Sequence, residues 1–302
     1  MTRNAIPNEH DPFNYKPRFV TQAFKVYAGG LLNANKEEMT LGKPQCPIEN
    51  AADTVFIHVS DLRRSAEWYG MVMGLPVLEE RLNGGNIYWF KLEDGTGINL
   101  DDNKSNSPDV PHVLYMYKTD DIDEAYRYLE RIGIETLSEI DRYPWGLSYF
   151  RFIDPDGNAL MVTQSDFVQD AVPRLPDTDS PILNRMGGIF LNVTDMDRAI
   201  AFHRRVLGLG PSAEPHEGAD RSVYNLPVSR GTGVLLDNNR YRQNEDYGTL
   251  FMLTTTDVDA AKAYLARNGV ETFTDIERYG DLAFFTVKDP DDNVIMICNQ
   301  TE

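Results

Sequence analysis

The sequence predicts an α+β protein of two tandem domains, each built from a strand–helix–strands unit used twice. Three observations predict it: a long internal repeat, hydrophobic periods of two and 3.6 residues alternating in fixed order, and helix start and stop residues at matching places in both copies.

The repeat sets the domain organisation. Residues 119–164 reappear as 256–300, FIHVSDLRRSAEWYGMVMGL (56–75) as FLNVTDMDRAIAFHRRVLGL (190–209), and GTGINLDDN (95–103) as GTGVLLDNN (231–239). The expected division is an N-terminal arm over 1–50, a first domain over 51–167, a linker over 168–183 and a second domain over 184–302. The linker stretch, with its three prolines, is expected to be exposed.

Within the first domain, VFIHV is an alternating β-branched run, and Asp61 follows as an N-cap. Leu62, Ala66, Tyr69, Val72 and Met73 then share one helical face, and Gly74 supplies the stop. NIYWFKL and GINLD read as strands, VLYMYK opens the second unit, and its helix starts near Asp120 or Asp121 and ends at Gly133.

Composition narrows the function classes. The 302 residues are 41% hydrophobic and 25% charged, ordinary for a globular chain and long enough for two cores. The net charge of −18 disfavours nucleic acid and anionic membranes, because such partners require a basic stripe. No long apolar run or secretory pattern occurs, so a cytoplasmic protein without a membrane span is expected. Cys46 and Cys298 form neither a CxxC nor a Cys/His cluster.

HVSDLRRSAEWYGMVMGLPV, TDDIDEAYRYLERIGIE and the DPDGN turn, repeated as NVTDMDRAIAFHRRVLGL, TDVDAAKAYLARNGVE and DPDDN, resemble the vicinal oxygen chelate superfamily of glyoxalase, bleomycin-resistance and dioxygenase proteins. The resemblance implies paired βαβββ modules forming a cupped sheet with helices outside. It also implies a metal site with ligands on three strands. Counted from the capping aspartates and the DPDGN turn, those positions carry Thr54, Leu114 and Met161 in the first domain and Gly188, Leu250 and Met296 in the second. Divalent cations need N or O donors there, so no metal and no cofactor is expected.

What remains is the cup. Val55, Ile57 and Val59 match Ile189, Leu191 and Val193, which marks the helix side of the first strand in each domain. Alternation then sends Phe56, His58, Trp89, Asn99, Asp101, Met116, Tyr149, Arg151 and Met161 into the first cup, with His112 nearby. The second cup holds Phe190, Asn192, Asn225, Leu235, Asp237, Met252, Phe284, Met296 and Cys298. Aromatic and Met-rich walls with few polar groups suit an organic ligand, for which Phe56, Trp89, Asn99, His112, Met116, Tyr149, Arg151, Met161 and Asn192 are the candidate contacts.

Three functional readings stay open. The chain binds a small aromatic or apolar metabolite; or it is a metal-independent isomerase, cyclase or lyase with His58 as general base oriented by Asp101; or it sequesters a drug or toxin. The expected partner is therefore a small molecule, and a homodimer is compatible with the sequence.

Overall fold

A computed structural model describes residues 46–102, 111–167, 170–210 and 222–299. The arm expected over 1–50 thus lies outside the described residues up to 45, and the first strand already begins at Ile48. The first domain runs β1 (Ile48–His58), α1 (Leu62–Met73), β2 (Ile87–Lys91), β3 (Gly97–Asp101), β4 (Val113–Thr119), α2 (Ile122–Arg131), β5 (Asp141–Tyr143), β6 (Leu147–Ile153) and β7 (Ala159–Ser165). The second runs β8 (Ile182–Asn192), α3 (Met196–Val206), β9 (Val223–Leu226), β10 (Gly233–Asp237), the short α4 (Asn239–Gln243), β11 (Thr249–Thr255), α5 (Val258–Arg267), β12 (Glu277–Tyr279), β13 (Leu282–Lys288) and β14 (Val294–Asn299).

Local chemistry starts and stops the helices where the sequence marks them. Asp61, Asp121, Asp195 and Asp257 each accept the backbone N–H three residues on, satisfying one orphan donor of the first turn. Gly74 ends α1 at φ 68°, a left-handed conformation that a side chain would resist.

Each domain forms one seven-stranded mixed sheet, ordered β2-β3-β1-β4-β7-β6-β5 and, in the second, β12-β13-β14-β11-β8-β10-β9. Among the described residues the first module of each domain contributes three strands and the second four. In the first domain a 3-10 turn, Glu79–Leu82, stands ahead of β2.

The helix-side faces of both sheets join in one continuous core. The first helix of each domain packs against the other domain. From α1, the Tyr69 ring lies 6.5 Å from Phe251 on β11, and from α3 Phe202 stacks at 6.5 Å on Phe152 of β6. Tyr264 Oη donates to Met71 O and, in the mirrored contact, Tyr128 Oη donates to Arg205 O, both at 2.8 Å. Two buried carboxylates complete the interface. Tyr69 Oη donates to Asp289 Oδ2 at 2.8 Å, whereas His203 Nε2 stands farther off, 3.4 Å from Asp154 Oδ2.

The stretch 170–183 exposes Pro173, Pro176 and several other residues to solvent, and it is also anchored to the first domain. Val172 is buried, Arg174 Nε donates to Met73 O, and Ser180 Oγ donates to Val72 O. These bonds pin the connector along the C-terminal end of α1, satisfying carbonyls that the helix leaves open.

Candidate functional site

The pleat decides which side chains can meet. Tyr88, Phe90, Ile98, Leu100, Tyr115, Tyr117, Phe150 and Phe152 are all in the shared core. Their neighbours along each strand therefore point away from it, into the concave face of the first sheet. Trp89, Asn99, Asp101, Met116, Tyr149, Arg151 and Met161 are half-buried there, and Phe56 is buried. Register sets them in rows: Trp89, Asn99 and Phe56 lie abreast on β2, β3 and β1, and Thr54, Met116, Met161 and Arg151 run abreast across β1, β4, β7 and β6.

One end of this cup is polar. His58 and Asp101 are register partners on β1 and β3, and the exposed His112 brings its ring to 4.0 Å from that of His58. His58 Nε2 is 3.1 Å from Val113 O, and a carbonyl only accepts, so this nitrogen carries the proton in the neutral ring. The strand end is held from the other domain, where Asn293 Nδ2 donates to His58 O at 3.0 Å.

The two wings of the sheet each carry a buried donor without an acceptor, Trp89 Nε1 on the edge strand β2 and Arg151 Nε on β6. Each such group costs about 1–3 kcal/mol when left unpaired, so the site stores an unmet demand for an acceptor. Arg81, from the 3-10 turn, lies over the Trp89 ring at 4.8 Å and donates to Trp89 O at 2.6 Å, fixing one ring face. Burial lowers the Arg81 pKa. On β6, Tyr149 stacks on Tyr143 at 5.9 Å, and burial, then the neighbouring Tyr143 hydroxyl, push the Tyr149 phenol upward.

Three cup-side residues, Asp53, Lys91 and Lys118, are absent from the candidates read from the sequence. Pairing of β1 with β4 shifts register between Ala52 and Thr54, a bulge that adds Asp53 to the cup side. Lys118 Nζ is 3.1 Å and Lys91 Nζ 3.6 Å from Asp53 Oδ1, while Thr54 Oγ1 donates to Asp53 Oδ2 at 2.8 Å. The readable signal was two lysines at cup-side positions of otherwise apolar strands. The bulge itself leaves no mark in the sequence.

The second cup is different. Phe190, Leu235, Met252, Leu282, Phe284, Met296 and Cys298 form a separate buried apolar cluster. A Cβ at Gly188 would come 2.5 Å from Leu235 and 2.7 Å from Met252, so these side chains occupy the space over β8. Burial raises the Cys298 thiol to about 12, leaving it inert. Asn192 belongs here. It lies against Gly248, whose added Cβ would come 2.6 Å from its side chain, and so it does not join the other ten candidates around the first cup.

The positions that hold metal in the resemblance do not fit a divalent ion. Thr54 is bonded to Asp53, Leu114 has no donor atom, and Met161 offers a thioether. Among the described residues no group of three His, Cys, Asp or Glu converges, and no helix is long and apolar enough to cross a membrane.

Known proteins agree with this architecture. The chain is similar in fold to homoprotocatechuate 2,3-dioxygenase from Arthrobacter globiformis, at 18% identity and TM-score 0.59 over 85% of this chain and 81% of that one. It is also similar to a Mn(II)-bound glyoxalase from Novosphingobium aromaticivorans, at 17% identity and TM-score 0.56 over 84% and 83%. A catechol 2,3-dioxygenase aligns at 16% identity and TM-score 0.56 over 83% and 88%. No curated protein sequence matches. The family model of the Glyoxalase/Bleomycin resistance protein/Dioxygenase superfamily matches twice, over residues 51–162 and 185–297, and the chain belongs to that superfamily.

Proposed function

We propose that the first cup binds a small planar organic molecule without a divalent metal. The observation that carries this reading is the pair of buried, unpaired donors, Trp89 Nε1 and Arg151 Nε, on cup-side residues of a concave face that also carries Phe56, Met116 and Met161. A ligand carrying acceptor groups for these donors would relieve their cost and cover the apolar wall, which is the usual division of labour in such pockets. Metal analysis and native mass spectrometry of the full-length protein test it. A bound organic mass that Arg151→Met removes, with metal far below one equivalent, is the expected result; a full equivalent of manganese, iron or zinc overturns the metal-free reading.

A metal-independent enzyme with His58 as general base is the second reading. It is favoured by the Val113 carbonyl, which fixes the tautomer, and by Asp101 beside His58 in register. Turnover of the co-purified molecule separates it from sequestration: product that forms with His58 and fails to form with His58→Gln supports catalysis, and unchanged ligand supports a protein that only binds.

A further inference from the structure

The bulge in β1 bears on the charge of the ligand. Asp53 is 8% exposed and shares one carboxylate oxygen with two ammonium groups, Lys118 from the adjacent β4 and Lys91 from β2, one strand beyond β3. Each ammonium has three N–H donors. Among the described residues Asp53 is the only carboxylate within 4 Å of either ammonium group, so the cluster has two positive charges and one negative. Across the cup, in the same row as Lys91, Gly97 and Thr54, stands Arg151 with its unpaired Nε.

The second domain has the same bulge between β8 and β11, yet the equivalent residues are Gly187, Pro227, Thr254 and Thr286. All four charges have gone from the copy whose cup is filled by its own side chains. A shared scaffold requirement therefore does not explain them. They are also of unusual sign for this molecule: in a chain of net charge −18, three cationic groups project into one concave, low-dielectric surface. Such a surface focuses potential on a bound anion and repels it little from the acidic exterior once inside.

We propose, resting on the reading of the first cup as a ligand site, that its ligand is a monoanionic aromatic carboxylate, with the acid group held by Lys91 and Lys118 and the ring plane set by Trp89. Asp53 positions the two ammonium groups and cancels one charge, leaving the single positive charge that a carboxylate neutralises.

The test is paired titration of the full-length protein with 2-naphthoate and its neutral isostere 2-naphthamide, followed by quenching of tryptophan emission and checked against Trp89→Phe. The expected result is naphthoate binding at least tenfold tighter than naphthamide. Lys91→Met and Lys118→Met should each cut that ratio to threefold or less, and Asp53→Asn, which removes the competing carboxylate, should widen it. Equal affinity for the two probes, or a ratio that survives both lysine substitutions, overturns the charge assignment while leaving the cup as a ligand site. Saturable binding of neither probe overturns both.

Discussion

Near the C-terminal end of β1 the first cup holds Phe56 between Thr54 and His58, and at the same place on β8 the second holds Phe190 between Gly188 and Asn192. The two phenylalanines share a scaffold position and differ in company. Phe190 is one of seven buried apolar residues in a closed cluster, whereas Phe56 faces Asn99 and the half-buried, polar-rimmed wall around Trp89 and Arg151. A repeated sheet can thus spend one concave face on packing and keep the other for a ligand. The core-side strand positions stay apolar or aromatic in both copies, while the charged residues of the first cup are replaced at the alternate positions.

The sharpest way to break this comparison is truncation. Phe190→Ala should cost about 3–5 kcal/mol, the range for an aromatic side chain removed from a packed core, and Phe56→Ala about half that or less. Urea unfolding of the two variants measures both. Equal losses would mean that the first cup is packed as tightly as the second.

The interface between domains offers a second contrast, between Tyr69–Asp289 and His203–Asp154. Burial raises the Asp289 carboxyl, and its hydrogen bonds from Asn293, Asp291 and Tyr69 only partly offset this. Burial also opposes ionisation of Asp154, but there His203 and Asn158 prevail and the carboxyl ends below its ordinary value. The signs follow by linkage. Stability contributed by Asp154 is present above the unfolded carboxylate value and is lost as pH falls through the lowered folded one. For Asp289 the contribution is present in acid and is lost as pH rises through its raised value. Tyr69→Phe should therefore destabilise by about 1.5–3 kcal/mol at neutral pH, with a deficit that closes on mild acidification. The deficit of His203→Phe should persist to lower pH. Chemical denaturation across pH 3–8 distinguishes the two, and coincident closure would refute the assignment of the partners.

Much of this fold was legible in the sequence, because its determinants are local and repeated. The capping aspartates, Gly74 and the core-side alternation of β1 and β8 each act within a few residues, so a pattern suffices to find them. The reading fell short where two distant segments meet. The bulge that turns Asp53 into the cup depends on how β1 pairs with β4, and the packing of 170–183 depends on carbonyls at the end of α1. The DPDGN and DPDDN turns show both sides. Asp154 and Asp289 do close local turns, as composition suggests, accepting from the N–H groups of Asp156 and Asn158 and of Asp291 and Asn293. Their second task, holding the opposite domain through Asn158 to Asn192 O and Asn293 to His58 O, has no signature within the motif.

A third perturbation sharpens the contrast from the side of the open cup. Arg151 brings an unpaired buried donor into the first cup, where the second has Thr286 bonded to Thr274. Arg151→Met should leave stability unchanged or raise it by about 1–2 kcal/mol, since an uncompensated polar group is replaced by apolar volume, while ligand affinity falls. Loss of stability instead would mark Arg151 as structural, and thermal unfolding beside ligand titration reads both.

The smallest expected effect tests whether the second cup excludes water. Asp237, the counterpart of Asp101, is pushed up to about 6 by burial, with the backbone N–H of Asn239 at 2.7 Å working the other way. Its folded value lies above the unfolded one, so its contribution is fully present below about pH 4 and is lost as pH rises through about 6. Asp237→Asn keeps an acceptor for Asn239 and removes the charge. It should match the parent protein near pH 4 and exceed it by about 1 kcal/mol at pH 8. An Asn variant with no advantage at pH 8 would mean that water reaches the carboxylate, and the closed character of the second cup would then stop at the cluster around Phe190 and not extend to the end of β10.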